Sequence, residues 1–290
     1  MNWAEIFWNS TRNNNLKYFT YKVLIHILLR VPDVFYSALF AVAFPIYKAL
    51  HTERAYGRTV KHLANAKAYL KASVQARDVF KGIFWNALDS YRGLARFKNV
   101  ENRIVFENEE IIREAVKHGP IAAISIHQGA FELLHRSLCR YSEHVHLITD
   151  SVGDQAFRKV LQELRSDPNL TEYHPEETGK LIRDLFKTKG ILAMVVDQGR
   201  HTKGNAVALF GLPSTLYLRL PQKVNQMGAG IVIFRTWTDN SPEHRITIRF
   251  EKYYPPKSDS LVSDISKEME KWISQHPEQW SWNYHGNFRV

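Results

Sequence analysis

A chain of 290 residues with one cysteine, Cys139, forms no internal disulfide and holds no cysteine-based metal site. Other signatures are missing too. No Gly-x-Ser-x-Gly elbow occurs, which argues against a serine hydrolase of the α/β type. There is neither a P-loop nor a Gly-x-Gly-x-x-Gly turn, so the two common nucleotide cradles are absent. Acids are scarce in the first third: residues 1–100 carry 15 Lys and Arg against 5 Asp and Glu, whereas residues 101–290 carry 24 of each. The whole net charge of +10 therefore lies in the first hundred residues, which are also the most apolar and aromatic. Cations wrapped around apolar helices fit an anionic membrane surface better than a nucleic acid.

What is present begins with helices. Residues 15–31 read as one helix stopped by Pro32, and residues 33–50 as a second. Val34 to Tyr47 carries no charge, yet a full span wants about 20 apolar residues. The segment therefore reads as a short span, an interfacial helix or a buried core helix, and its flanking cations favour membrane attachment. The mixed N-terminus, with Glu5 and no small-residue cleavage site, does not read as a cleaved signal peptide. Residues 52–98, nearly free of Gly and Pro, read as two further helices, with Arg54, Arg58, Lys61, Lys67 and Lys71 on exposed faces.

From about residue 103 the pattern changes. Strand-like runs at Arg103–Phe106, Ile121–Ile126, His144–Ile148, Gly190–Val196, Gly230–Thr236 and His244–Phe250 alternate with helical stretches near 108–118, 130–141, 154–165, 176–188, 215–227 and 260–275. Alternation of this kind predicts an α/β fold with helices on the faces of a sheet. The organisation expected is thus residues 1–50 as N-terminal membrane-anchoring helices and 51–290 as one domain, helical over 51–100 and α/β over 101–290.

Two runs carry chemistry. In the first, the buried strand Ile121–Ile126 ends at His127, and Glu132 follows beyond the turn at Gly129. A histidine with an acid one helical turn on is a proton-transfer pair. With 13 His and 29 acids in 290 residues about one such spacing arises by chance, so context must carry the assignment. In the second, the strand Ile191–Val196 ends in Asp197-Gln198-Gly199-Arg200, with Lys203 just beyond. Ligands collect at the carboxyl ends of strands in open sheets, so the two ends place base, acid, amide and cation on one rim. Phe210-Gly211-Leu212-Pro213-Ser214-Thr215 reads as a turn leading into the next helix. Trp280 and Trp282 read as packing, and Cys139 as a small buried hydrophobe.

These motifs, in this order, resemble the bacterial lipid A biosynthesis acyltransferases, the lauroyl and myristoyl transferases. The resemblance rests on His127-x4-Glu132 after a buried strand, Arg165 with Arg158 in a helix, Asp197-Gln198-Gly199, Phe210-Gly211-x-Pro213, and Pro277-Glu278-Gln279 followed by tryptophans. It departs at Ser214-Thr215-Leu216 and at Asn283–Arg289, where the family has threonine-proline and a basic ending. The resemblance implies a mixed central sheet flanked by helices, like that of the glycerolipid acyltransferases, with N-terminal membrane-associated helices. It further implies acyl transfer from an acyl carrier protein thioester to a hydroxyl of a lipid A precursor or related glycolipid at the cytoplasmic face of the bacterial inner membrane. No metal or bound cofactor is expected. His127 would act as general base with Glu132 orienting it. An oxyanion donor would come from backbone N–H groups near Gly129 or from Gln198. Arg165, Arg200 and Lys203 would hold phosphates of acceptor or donor. A transferase for another membrane lipid, and a non-catalytic lipid-binding protein on the same fold, are the competing readings.

Overall fold

The structure, a computed structural model, describes residues 3–51, 55–71, 73–95, 101–149, 154–198, 203–239 and 244–282. Arg54, Gly199, Arg200 and the C-terminal Asn283–Arg289 segment lie outside the described residues. Four helices come first: α1 (Trp3–Leu28), α2 (Asp33–Leu50), α3 (Gly57–Ala66) and α4 (Ala76–Ala95). The α/β part follows as β1 (Ile104–Glu107), α5 (Glu109–Ala115), β2 (Ile121–Ser125), α6 (Leu134–Leu138), β3 (Val145–Ile148), α7 (Gln155–Arg165) and β4 (Leu170–Tyr173). It continues through α8 (Thr178–Thr188), β5 (Ile191–Val195), β6 (Asn205–Leu209), β7 (Leu212–Leu216), α9 (Arg219–Gln226), β8 (Gly230–Thr238), β9 (Ile246–Tyr254) and α10 (Leu261–Gln275).

Seven strands make one mixed sheet in the order β1-β9-β8-β2-β5-β3-β4, and β6 and β7 pair separately as a hairpin. Every pairing in the large sheet is parallel except β8 with β9. β2 lies in the middle, paired with β5 on one side and β8 on the other. Its sequence explains the position: Ile121-Ala-Ala-Ile-Ser125 is buried at every residue, as a parallel strand covered on both faces must be. The two-residue period then sorts its side chains. Ala122, Ile124 and Ile126 join the core under α8 and α10, and Ile121 and Ala123 join the core under α5 and α6.

The expected α/β sheet with flanking helices is thus present, and all six expected strands form. Three more, β4, β6 and β7, were not legible. β4 is a four-residue edge strand with two polar residues. The β6–β7 hairpin replaces the turn-into-helix expected at Phe210–Thr215, and α9 starts only at Arg219. Its two-residue loop, Phe210-Gly211, has positive φ at both positions, 54° and 71°, the backbone twist that fits a tight hairpin. Phenylalanine tolerates that conformation because packing holds it: Phe210 is 1% exposed and stacks on Trp282 at 5.7 Å.

No helix among the described residues is long and apolar enough to cross a membrane. α1 packs along α7 and α2 along α4. α4 in turn presses on the short turn Pro277–Gln279, and a Cβ at Gly82 would collide with the carbonyl oxygen of Glu278. Gly82→Ala should therefore overpack this contact and cost about 1–3 kcal/mol. Thermal unfolding would show this as a Tm loss of about 2–4 °C for each kcal/mol.

Candidate active site

β2 delivers His127 to the carboxyl edge of the sheet, and β5, its parallel neighbour, delivers Asp197 beside it. Asp197 is 2% exposed. Its carboxylate accepts the His127 backbone N–H at 3.1 Å and the imidazole Nδ1–H at 2.7 Å. It also accepts the indole Nε1–H of Trp280 at 2.9 Å. A carboxylate only accepts, so Nδ1 carries the proton and Nε2 is left as the basic nitrogen. The ring is braced by Phe131, edge-on at 4.6 Å. The C-terminal segment completes the support: Gln128 bridges Trp280, and the Ser281 hydroxyl donates to the His127 carbonyl at 3.3 Å.

Glu132 sits elsewhere than expected. It lies in a 3-10 turn, Phe131–Leu133, and takes a bidentate pair from Arg165 of α7, with Nε at 2.9 Å and Nη2 at 2.7 Å. The five-residue spacing assumed a helix starting straight after His127. Instead Gln128 is tied to the C-terminal segment and Gly129 turns at φ 60°, so the acid swings towards α7. Among the described hydrogen bonds the imidazole's acid partner is Asp197, and Glu132 reaches His127 by charge alone. The Gly129 N–H is likewise committed, to the Gln279 carbonyl at 3.1 Å, which removes it as an oxyanion donor.

His127 opens on a cavity of about 830 Å³. Its apolar lining includes Leu134 of α6, Leu147 of β3, Leu161 of α7 and Phe234 of β8. The expected residues Glu132, Arg158, Arg165, Gln198 and Lys203 all line this cavity. Arg158, Leu161, Gln162 and Arg165 form one stripe of α7 at i, i+3, i+4 and i+7, which is why one helix contributes so many of them. Sequence reading did not find Arg219, Glu172 or His135, which also line it. Arg158, Lys203 and Arg219, which line the cavity, are in no ion pair with a described residue. Cys139 stays a bystander, its thiol pushed to about 12 by burial.

Burial works against the charged form of Glu132, and the Arg165 charge and hydrogen bonds outweigh it, so its pKa falls below 4.5. Burial alone dominates at His135, whose pKa drops from 6.5 to about 4. Glu172 has its pKa raised by burial, and its Oε2 has no hydrogen-bond partner.

The site is therefore an α/β sheet that presents an acid-braced histidine to a cavity lined by apolar and cationic side chains. The family follows from comparison with known proteins. The family description "Bacterial lipid A biosynthesis acyltransferase" matches residues 92–289, more than half of the chain, and the protein belongs to that family. It is accordingly an acyltransferase of the lipid A type, with a lipid acceptor. No curated protein matches the chain.

The electrostatics predict acid sensitivity. A histidine whose folded pKa lies below 6.5 leaves the unfolded chain to bind the proton first, so stability falls as pH drops from 6.5 towards 4. Glu132 adds a loss only below 4.5, as pH falls through its depressed folded value. Urea unfolding at pH 7 and pH 5 should show His135→Gln shrinking the loss between them by about 2 kcal/mol. An unchanged difference would mean that His135 is not held neutral by burial.

Proposed function

We propose that the protein moves a fatty acyl chain from an acyl carrier protein thioester to a hydroxyl of a lipid A precursor or a related glycolipid. The observation that carries the reading is the 2.7 Å bond from His127 Nδ1 to Asp197 at the mouth of a largely apolar cavity. In this mechanism His127 Nε2 takes the proton of the acceptor hydroxyl as its oxygen attacks the thioester carbonyl. Asp197 holds the tautomer and stabilises the imidazolium that forms. The tetrahedral oxyanion is met by the Gln198 side-chain amide. Collapse breaks the carbon–sulfur bond, the thiolate leaves, and the imidazolium returns the proton to it.

Glu132 acts in this scheme as the anchor of Arg165 and as a nearby negative charge. Arg158, Lys203 and Arg219 receive phosphate, from the acceptor or from the phosphopantetheine arm of the donor. The apolar part of the cavity, against Leu134, Leu147 and Phe234, receives the acyl chain. The reaction calls for no metal or redox group, since every proton moved has a side chain to carry it. The proposed setting is the cytoplasmic face of the bacterial inner membrane, where both the carrier-bound donor and a lipid acceptor are at hand.

The test is acyl transfer by detergent-solubilised protein, with carrier thioesters of several lengths, a panel of lipid acceptors and mass spectrometry. One acceptor should gain one acyl mass. His127→Ala should lower kcat by at least about 100-fold. Asp197→Asn should lower it by about 10²–10⁴-fold, because an amide that donates towards Nδ1 favours the wrong tautomer. Activity with coenzyme A thioesters alone would replace the donor. Equal inactivity of wild type and His127→Ala on every acceptor would favour a lipid-binding role instead.

A further inference from the structure

The cavity wraps around the carboxyl ends of two neighbouring strands. Side chains alternate between the faces of a sheet. On β5, Ala193 belongs to the core under α5 and α6, and Met194 packs on the core under α8 and α10. On β3, Leu147 and Ile148 divide in the same way. All four line the cavity, which therefore reaches onto both faces of the sheet from the edge that carries His127.

The compartment under α6 is blind. Leu147, Ala193 and Phe234 form its sheet side and Leu134 its helix side, and these four are only 2–8% exposed. Phe131 and Leu161, both half-buried, line its wider part. One period further inward on the same face stand Val145, Ile191 and Val232, which are fully buried and do not line the cavity. Among the described residues, packed core therefore closes the compartment at the level of Ala193. The strand register fixes that level. Ala193 lies between Ala123 of β2 and Leu147 of β3. His127 follows Ala123 by four residues, so the closed end stands no more than about 13 Å from the base along the strand.

We propose that Ala193 is the floor of this compartment and sets the longest acyl chain that the protein accepts. Calling that chain the donor's rests on the transfer reading above; the depth of the compartment does not. Of the four residues at the closed end Ala193 alone is small, and the others are leucine and phenylalanine. Its methyl group therefore leaves the last volume that a chain end fills. A chain that stops short forfeits contacts with the compartment's end. A chain one methylene too long meets the buried strands behind Ala193, which are close-packed and do not yield. Each mismatched methylene in an apolar pocket costs about 10–200-fold in kcat/KM. Ala193 stands in mid-strand, four residues before Asp197, so a change there alters the far end of the chain and leaves the base and its acid in place.

Competition among carrier thioesters of every even chain length, read by the mass of the acylated lipid, tests this. Ala193→Leu adds an isopropyl group at the floor. It should lower the ratio of the wild-type optimum to the chain about two carbons shorter by at least about tenfold. Ala193→Val should move the preference the same way by less. Leu147→Ala opens the same end and should move it towards longer chains. Shifts of opposite sign cannot come from a general loss of stability. An unchanged profile in all three variants would overturn the proposal. So would a profile that moves with Met194→Ala instead, which places the chain on the other face of the sheet. Binding gives a second readout that needs no turnover: the longest free saturated fatty acid that raises the Tm should be shorter in Ala193→Leu and longer in Leu147→Ala. If wild type transfers no acyl group from any donor and this limit still moves, the transfer reading falls and the floor stands. If transfer proceeds and neither profile moves, the floor falls and the transfer reading stands.

Discussion

A single buried carboxylate holds the site together. Asp197 accepts hydrogen bonds from the backbone and ring of His127 and from the indole of Trp280, and these donors come from β2 and from the C-terminal segment. A carboxylate with 2% exposure is stable only when its oxygens are satisfied, so the three elements are placed by a common requirement. Trp280 thus does more than pack. It supplies a donor to the same carboxylate that orients the His127 ring. The segment's return to β2, with Gln128 bridging Trp280 and the Ser281 hydroxyl on the His127 carbonyl, closes the loop around the carboxyl edge of the sheet.

The second charged group works differently. Arg165 and Glu132 are each about 15% exposed, and they meet through a bidentate pair on the cavity wall. Removing either partner would strand a buried charge, which costs about 3–5 kcal/mol in comparable pairs. Arg165 is thereby committed to Glu132, whereas Arg158, Lys203 and Arg219 are in no ion pair with a described residue.

Much of this is legible in the sequence itself. Apolar runs gave the six principal strands because buried parallel strands must be apolar on both faces, and the same runs located His127 and Asp197 at strand ends. The pairing between those ends was not legible. Which acid faces a given imidazole depends on strand order, and nothing local in the chain says that β5 neighbours β2. The local signal, five residues from His127 to Glu132, pointed to an acid that pairs with Arg165, because Gly129 and the 3-10 turn redirect the chain. The hairpin at Phe210-Gly211 was hidden for a similar reason. A phenylalanine at positive φ is unfavourable on its own, and only its burial against Trp282 makes the turn affordable. Arg219, Glu172 and His135 carried no motif, and only the cavity groups them.

The position of α7 connects these themes. Its outward side takes the polar ties from α1, its inward side lines the cavity, and its last residue pairs with Glu132. A helix with two functional faces has little room for sequence change, since Glu163 answers to Lys22 and Tyr18 while Arg165, two residues on, answers to the site. One helix layer thus separates the polar contacts of α1 from the cavity that His127 faces.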